Sequence, residues 1–514
     1  MCRTEGVAGG GTCGEPTLSG VGGHVAPGDE VVRSQDHQPD IASRPAFIGF
    51  HRPRDRVVSP GWSPVRHVSN RHDFARRLRG GCRDDTLRGM ANVLLTTLGS
   101  YGDLHPFLAM ARALRNRGDR VRLATHAQYR EAVERLGVEF VAIPPSKEDV
   151  GPEELWAAEA SHPRRGTQFV VRDLILPHVE RSYELIDAAA ADCDLIIGHL
   201  LTLATPLVAE KRRIRWLSTA LQPSAFLSAW DPPALGPAWF LPHLRWLGPR
   251  LLGAVMRAAV RGTGHWFESL HALRKKVGLP VTRRNPLADG WSPYGTVALF
   301  DSLFAAPQPD WPVNVAQVGF PLFDEETSAE GSPELLAFLR SGPAPVTVTL
   351  GSAVVLMETR VYEVAAEALS QMGLRGVLLV GKQARRVPEW AYRDSSLLVR
   401  DYEPFSALFP QSAVVVHQCG IGTTGQALAA GRPQLCLPFA HDQPDNARRV
   451  RQLGLGETLL PRSLTVRRFR KALERLLLQD RSPQCLEVAT EIRKSEFRAR
   501  FLAAVDHVLD RPVG

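Results

Sequence analysis

The sequence predicts an α/β protein made of two open, mostly parallel sheets in tandem. Three observations lead there. The chain has 514 residues, more than one hydrophobic core usually serves. Short β-branched or Leu-rich runs alternate with amphipathic helices, as in a parallel sheet whose strands are joined by crossovers. That alternation also breaks down and restarts midway along the chain.

Residues 1–89 stand apart: Gly, Pro and Arg abound, Lys is absent, and no period of 2 or 3.6 persists. A disordered leader is expected, with Met90 as the natural start and a regulatory tail as the competing reading. A first α/β domain follows over residues 90–320. Its strand Val93–Leu98 leads to a helix from about His105 to Asn116, and Val121–Thr125 leads to Tyr129–Leu136. Asp194–Gly198 leads to Leu203–Lys211, and then comes the strand Ile214–Thr219. Trp230, Pro232, Pro233, Trp239 and Trp246 then interrupt the rhythm, an insertion suited to lining an apolar pocket.

The Pro-rich passage Pro307–Pro345 reads as a linker, placed at 321–345. A second α/β series over 346–490 carries Val346–Leu350, Val377–Val380, Ala413–Val416 and Gln434–Leu437. Residues 491–514 have helical spacing at Ile492, Phe497, Phe501, Val505 and Val508, which predicts one helix packing back across the junction. The two series read as Rossmann-like halves facing each other across a cleft.

Hydrophobic and charged fractions of 44% and 23% fit an ordinary globular enzyme, and no apolar run reaches membrane-spanning length. Peripheral membrane contact stays open. The net charge of +8 is scattered, without a basic helix or an aromatic-plus-basic stripe, so no nucleic-acid partner is expected. Seven Cys residues make no CxxC pair and no zinc-type spacing, and nothing at the start directs export. A reducing cytoplasm is the simpler expectation.

Ligands of open α/β sheets sit beyond the carboxyl ends of the strands, so the chemistry is sought in the following loops. In the second half Gly351-Ser352 offers close backbone approach and a hydroxyl, though such turns are common. His417-Gln418-Cys419-Gly420-Ile421-Gly422-Thr423-Thr424-Gly425-Gln426 runs from a strand into a helix start, where freed backbone N–H groups and Thr hydroxyls suit a diphosphate. Beyond the next strand, Asp442 and Gln443 set a carboxylate beside an amide, a pair able to hold adjacent sugar hydroxyls. Taken singly, Asp442 reads as a helix N-cap and His417 as a satisfied loop histidine.

Together, Tyr402 to Asn446 resembles the donor-binding signature of family 1 glycosyltransferases of GT-B fold, in particular bacterial members acting on lipids, sterols and natural products. The Gly-x-Gly-Thr-Thr turn, the Ala-Gly-x-Pro step at Ala430–Pro433 and the Asp-Gln pair carry the resemblance. It implies that Tyr402 stacks on the nucleobase and that Gln426 meets the ribose. Gly420, Gly422, Thr423 and Thr424 would hold the diphosphate, and Asp442 and Gln443 the sugar. The family's phosphate-binding His aligns with Gln418, with His417 one place earlier, and either is a candidate. In the first half Gly99-Ser100-Tyr101-Gly102-Asp103-Leu104-His105 resembles the acceptor-side loop, which makes Asp103 the implied base, with His105 as second candidate and helix capping as the bland alternative for Asp103.

The resemblance implies an inverting transfer of a hexose from a UDP- or TDP-sugar to a hydroxyl of a small apolar acceptor, with no cofactor. A helix start that stabilises the leaving diphosphate removes the need for an Asp-x-Asp metal clamp, so no essential metal is expected. The rival readings are a nucleotide-sugar epimerase of similar fold and a catalytically silent nucleotide-sugar-binding subunit.

Overall fold

The structure, a computed structural model, describes residues 89–282, 284–324, 330–354, 360–381, 387–479 and 482–512, the side chains of Glu153, Glu154, Ser352 and Ala353 excepted. The leader expected over 1–89 thus lies outside the described residues, Gly89 apart.

Strands β1 (Asn92–Thr96), β2 (Arg120–Thr125), β3 (Glu139–Ala142), β4 (Leu195–His199), β5 (Arg215–Ala220), β6 (Thr296–Ala298) and β7 (Val315–Gln317) form the first sheet. Their spatial order is β3-β2-β1-β4-β5-β6-β7, with every pairing parallel. The second sheet holds β8 (Val346–Thr349), β9 (Gly376–Leu379), β10 (Leu397–Arg400), β11 (Val414–His417), β12 (Gln434–Cys436) and β13 (Gly456–Thr458). It repeats the plan as β10-β9-β8-β11-β12-β13, again wholly parallel. Helices cover both faces of each sheet, so the central strands are interior throughout: β4, β8 and β11 are buried at every residue. Strand order reverses between β1 and β4 and again between β8 and β11, which opens a crevice at the carboxyl ends in each half.

One apolar cluster joins the halves. Phe107 and Leu114, from the helix Tyr101–Arg117, share it with Phe320, Ile421, Leu428, Phe501 and Val505. The helical spacing expected to be continuous over 491–509 is broken at Glu496, whose φ of 36° ends one helix, Ser482–Arg493, and starts another, Phe497–Leu509. The second of these packs on the first sheet, where Arg117 pairs with Asp506 at 2.7 Å. The expected linker also carries structure of its own. Ser332 caps the helix Pro333–Arg340, and Leu335 packs with Val377, Leu379, Leu408 and Phe409 of the second half. The Trp- and Pro-rich insertion buries Pro232 and Pro233 but leaves its Trp rings outside: Trp239 and Trp246 are 61% and 77% exposed.

Candidate active site

In the first half the helix begins at Tyr101, four residues before the expected His105, because Ser100 and Asp103 form a reciprocal capping box. The Ser100 N–H donates to Asp103 Oδ2 at 2.8 Å, and the Gly102 N–H donates to Ser100 Oγ at 3.2 Å. Gly99, at φ 128°, is obligatory here, since a Cβ would sit 2.2 Å from Asp103 Oδ2. The loop is pinned from behind. The Gly99 N–H donates to His126 Nε2 (3.2 Å) and its carbonyl accepts from Tyr129 OH (3.0 Å).

The other Asp103 oxygen faces His199, at the end of β4, with Nε2 at 3.8 Å from Oδ1. His199 Nδ1 lies 3.1 Å from the Leu98 carbonyl, which can only accept, so the proton sits on Nδ1 and Nε2 turns its lone pair to the carboxylate. Burial holds the His199 pKa below its ordinary value, and the Asp103 charge offsets only part of that. His105 does not join this group. Two residues along the helix from Asp103 it faces another side, with its ring 5.4 Å from Tyr101 and 5.5 Å from Phe323.

In the second half β11 ends at His417 and the chain enters the helix Ile421–Ala430 through Gly420, which has no side chain to cap it. Gly422, in the first turn, is exposed with open space where a Cβ would be. Thr423 is buried, and Thr424 spends its hydroxyl on the Gly420 carbonyl at 3.0 Å. His417 is interior. Its Nδ1 accepts from the Cys419 N–H (3.2 Å), which leaves Nε2–H to donate to Gln434 Oε1 (2.9 Å). Burial lowers its pKa to about 4. Its ligand atoms lie within 4.8 Å of those of Cys419 and Cys436, yet with both nitrogens engaged the ring has no free lone pair for a metal. Gln418 instead lies against Gly351, where a Cβ would meet its Nε2 at 2.1 Å, and its Oε1 is buried without a protein partner.

The loop after β12 completes this wall. Asp442 occupies the N-cap position of the helix Gln443–Gln452 but makes no cap bond; its Oδ2 accepts from Asn446 Nδ2 at 2.6 Å. Burial raises its pKa to about 7, the Asn446 bond opposes that rise, and Asp103 across the cleft adds to it. Gln443 turns its carbonyl back to accept from the Phe439 and Ala440 N–H groups (2.8 and 3.2 Å). Gln426 donates to the Phe323 carbonyl at 3.2 Å, and Tyr402 is 47% exposed. Two contacts close the cleft at its sides. His441 Nδ1 meets Thr167 Oγ1 at 3.2 Å, and buried Asp445 accepts from the Ala234 N–H (3.0 Å) while binding Arg448 and Arg449. Both arginines also reach Asp231; burial pushes its pKa up, but their charges outweigh that and hold it low.

Residues 93–181 match the glycosyltransferase family 28 N-terminal domain, and residues 383–499 the erythromycin biosynthesis protein CIII-like C-terminal domain. The chain is 31% identical over 389 residues to O-mycaminosyltylonolide 6-deoxyallosyltransferase of Streptomyces fradiae, covering 72% of this chain and 85% of that protein. The chain belongs to the family 1 glycosyltransferases. This glycosyltransferase is also 26% identical over 408 residues to sterol 3-beta-glucosyltransferase of Pichia angusta, across 75% of the chain and 31% of that much longer protein. Its GT-B fold superposes on the spinosyn rhamnosyltransferase complexed with thymidine diphosphate, with a TM-score of 0.55 and 16% identity, over 81% of this chain and 100% of that one.

In this glycosyltransferase the structure brings Asp103, Gly351, Gln418, Gly420, Gly422 and Asp442 to the carboxyl ends of the strands. Four other candidates are engaged within the protein. His105 packs between aromatic rings, His417 is sealed in the core, Thr424 closes its own turn, and the Gln426 amide nitrogen is already bonded. The Ser352 side chain lies outside the described residues. Sequence reasoning missed His199, His126 and His441. His199 was findable, since it ends the strand beside β1 where the order reverses, the position that most often carries function. The chain does contain an Asp-x-Asp, Asp192-Cys193-Asp194, but it precedes β4 at the opposite end of the sheet. There Asp192 pairs with Arg122 and Asp194 accepts from the Asn92 N–H at 2.8 Å.

Proposed function

We propose that this glycosyltransferase transfers a hexose, with inversion, from a UDP- or TDP-sugar to a hydroxyl of a small apolar acceptor in the first half. The observation that supports this reading is the pair of helix starts that follow β1 and β11, one filled by the Asp103 carboxylate and the other left uncapped at Gly420. A proton acceptor in one half and an anion site in the other are what such a transfer requires.

Asp103 accepts the acceptor's proton as the new bond forms at the anomeric carbon, while the bond to the diphosphate breaks on the opposite side. His199 is a positioning residue. Its Nε2 lone pair opposes the ionised carboxylate only weakly at 3.8 Å, and it can share the proton once Asp103 holds one. The N–H groups of the uncapped helix start at Gly420 receive the charge that develops on the leaving diphosphate, without a metal. Gln418 assists: rotation of its amide turns an N–H outward as readily as a carbonyl. Tyr402 offers its exposed face to the base. A sterol or polyketide-like acceptor fits the named relatives, a glucosyltransferase of sterols and a deoxyallosyltransferase of O-mycaminosyltylonolide. The enzyme works in the cytoplasm, where nucleotide sugars are at hand.

The test is a matrix of UDP- and TDP-sugars against sterol and macrolide acceptors, read by mass spectrometry. One hexose added to an acceptor supports the reading. Epimerised donor without acceptor, or bound donor with neither transfer nor hydrolysis, would refute it.

A further inference from the structure

Between Asp231 and Glu268 the chain carries no carboxylate, while Arg245, Arg250, Arg257 and Arg261 all fall inside that stretch. The helix Gly248–Gly262 occupies its second half and is divided lengthwise into three. Leu252, Gly253 and Met256 face inward, Leu252 and Met256 onto Ala229 and Leu241. On the outside, Leu251 and Val255 are 54% and 48% exposed, and at 100° per residue they share a stripe with Ala254 and Ala258. Arg250, Arg257 and Arg261 form an exposed column along one edge of that stripe. The turn Leu241–Leu247 packs against the same helix and adds exposed Trp246, with Trp239 and Phe240 just before it.

An apolar stripe bordered by arginines, with Trp and Phe at its end, suits a helix lying in the plane of a bilayer. No helix among the described residues is long and apolar enough to cross one. An antiparallel second copy is a poor occupant, because that two-fold pairing would set the Arg column against itself. We propose that this insertion docks the enzyme on an anionic lipid surface, with the rings and the Leu251–Val255 stripe in the headgroup layer and the arginines on lipid phosphates. The docking stands apart from the transfer reaction and does not depend on it.

The full chain is mixed with vesicles of phosphatidylcholine, alone or with phosphatidylglycerol, and floated on a density gradient. The expected result is flotation with the mixed vesicles only, weakened by salt, together with a blue shift of tryptophan emission. Changing Arg245, Arg250, Arg257 and Arg261 to Gln should weaken partitioning about five-fold per residue, hence at least ~10²-fold in all, while the four Arg→Lys changes should leave it nearly intact. Trp239→Ser with Trp246→Ser and Leu251→Ser should also abolish flotation without lowering the melting temperature, since all three side chains are exposed. Failure of the parent chain to float with the mixed vesicles overturns the proposal, as does flotation unchanged in both variants. Binding to soluble polyglutamate as tight as to the vesicles, and indifferent to the apolar changes, assigns the patch to an acidic protein and overturns it too.

Discussion

The loops after β1 and after β11 each leave a buried strand, turn at glycine and enter a helix whose first turn faces the cleft. The first fills that turn with Asp103, bonded back to Ser100, whereas the second starts at Gly420 with no side chain over its N–H groups. A helix start carries roughly half a positive charge. In the first half the protein neutralises it with its own carboxylate, which the proposed mechanism uses as the proton acceptor. In the second half the charge is left uncompensated by a cap, where the proposal sets the diphosphate. On the proposed reading the same local fold thus yields a base on one wall and an anion site on the other, and the difference rests on the Ser100–Asp103 capping box, which the second start lacks.

The largest effect is expected from removing the basicity of the filled turn. Asp103→Asn keeps an oxygen to accept from the Ser100 N–H, so the cap survives. General-base catalysis is worth about 10²- to 10⁴-fold, and turnover should fall by that much with nucleotide affinity unchanged. Steady-state kinetics beside a melting curve will show it. A variant that turns over at the parent rate would reduce Asp103 to a cap and dissolve the contrast between the loops.

Asp442 sharpens the comparison from the second wall. Burial raises its pKa from the usual carboxylate range to about 7, so the folded state favours the protonated form. That contribution to stability is complete below the unfolded-state value and is lost as pH rises through about 7. Asp442→Asn, which mimics the protonated form and can still accept from Asn446, should therefore melt higher than the parent at about pH 8 and converge with it toward about pH 4. A gain of 1 kcal/mol corresponds to about 2–4 °C in a domain of this size. A variant less stable than the parent at the higher pH means that the buried carboxylate is not strained.

The smallest catalytic effect is expected at His105. His105→Ala removes a ring packed against Tyr101 and Phe323. It should lower the melting temperature, at a cost of about 1–3 kcal/mol, while turnover stays within about three-fold of the parent. An inactive but stable His105→Ala would move the base away from Asp103.

The architecture was legible because strands such as β1, β4 and β11 are built on short runs of Val, Leu and Ile between helices. Strands β3, β6, β7, β10 and β13 were not, since they lie at or toward the sheet edges, where a strand need not be an unbroken apolar run. The turn from β11 into the next helix was legible in its glycines, Gly420 at the N-cap and Gly422 in the first turn. The orientation of its side chains was not: His417 and Gln418 are neighbours, and only the fold decides which one enters the core. His199 and Asp103 are brought together by the pairing of β1 with β4, a contact no local pattern announces.

The claim that the second helix start is left open for a diphosphate is tested most directly by closing it. Gly422→Asp sets a carboxylate in the first turn, where a Cβ meets nothing, and gives the second loop what the first already has. A charge there should stabilise the helix by about 0.3–1 kcal/mol, and it should repel the ligand that the turn is built to hold. Calorimetric titration with UDP and TDP should give affinity at least ~10-fold weaker than the parent's, or about 1.4 kcal/mol, in a protein that melts no lower than the parent. Nucleotide binding undiminished in such a stable variant would place the diphosphate elsewhere and contradict the account.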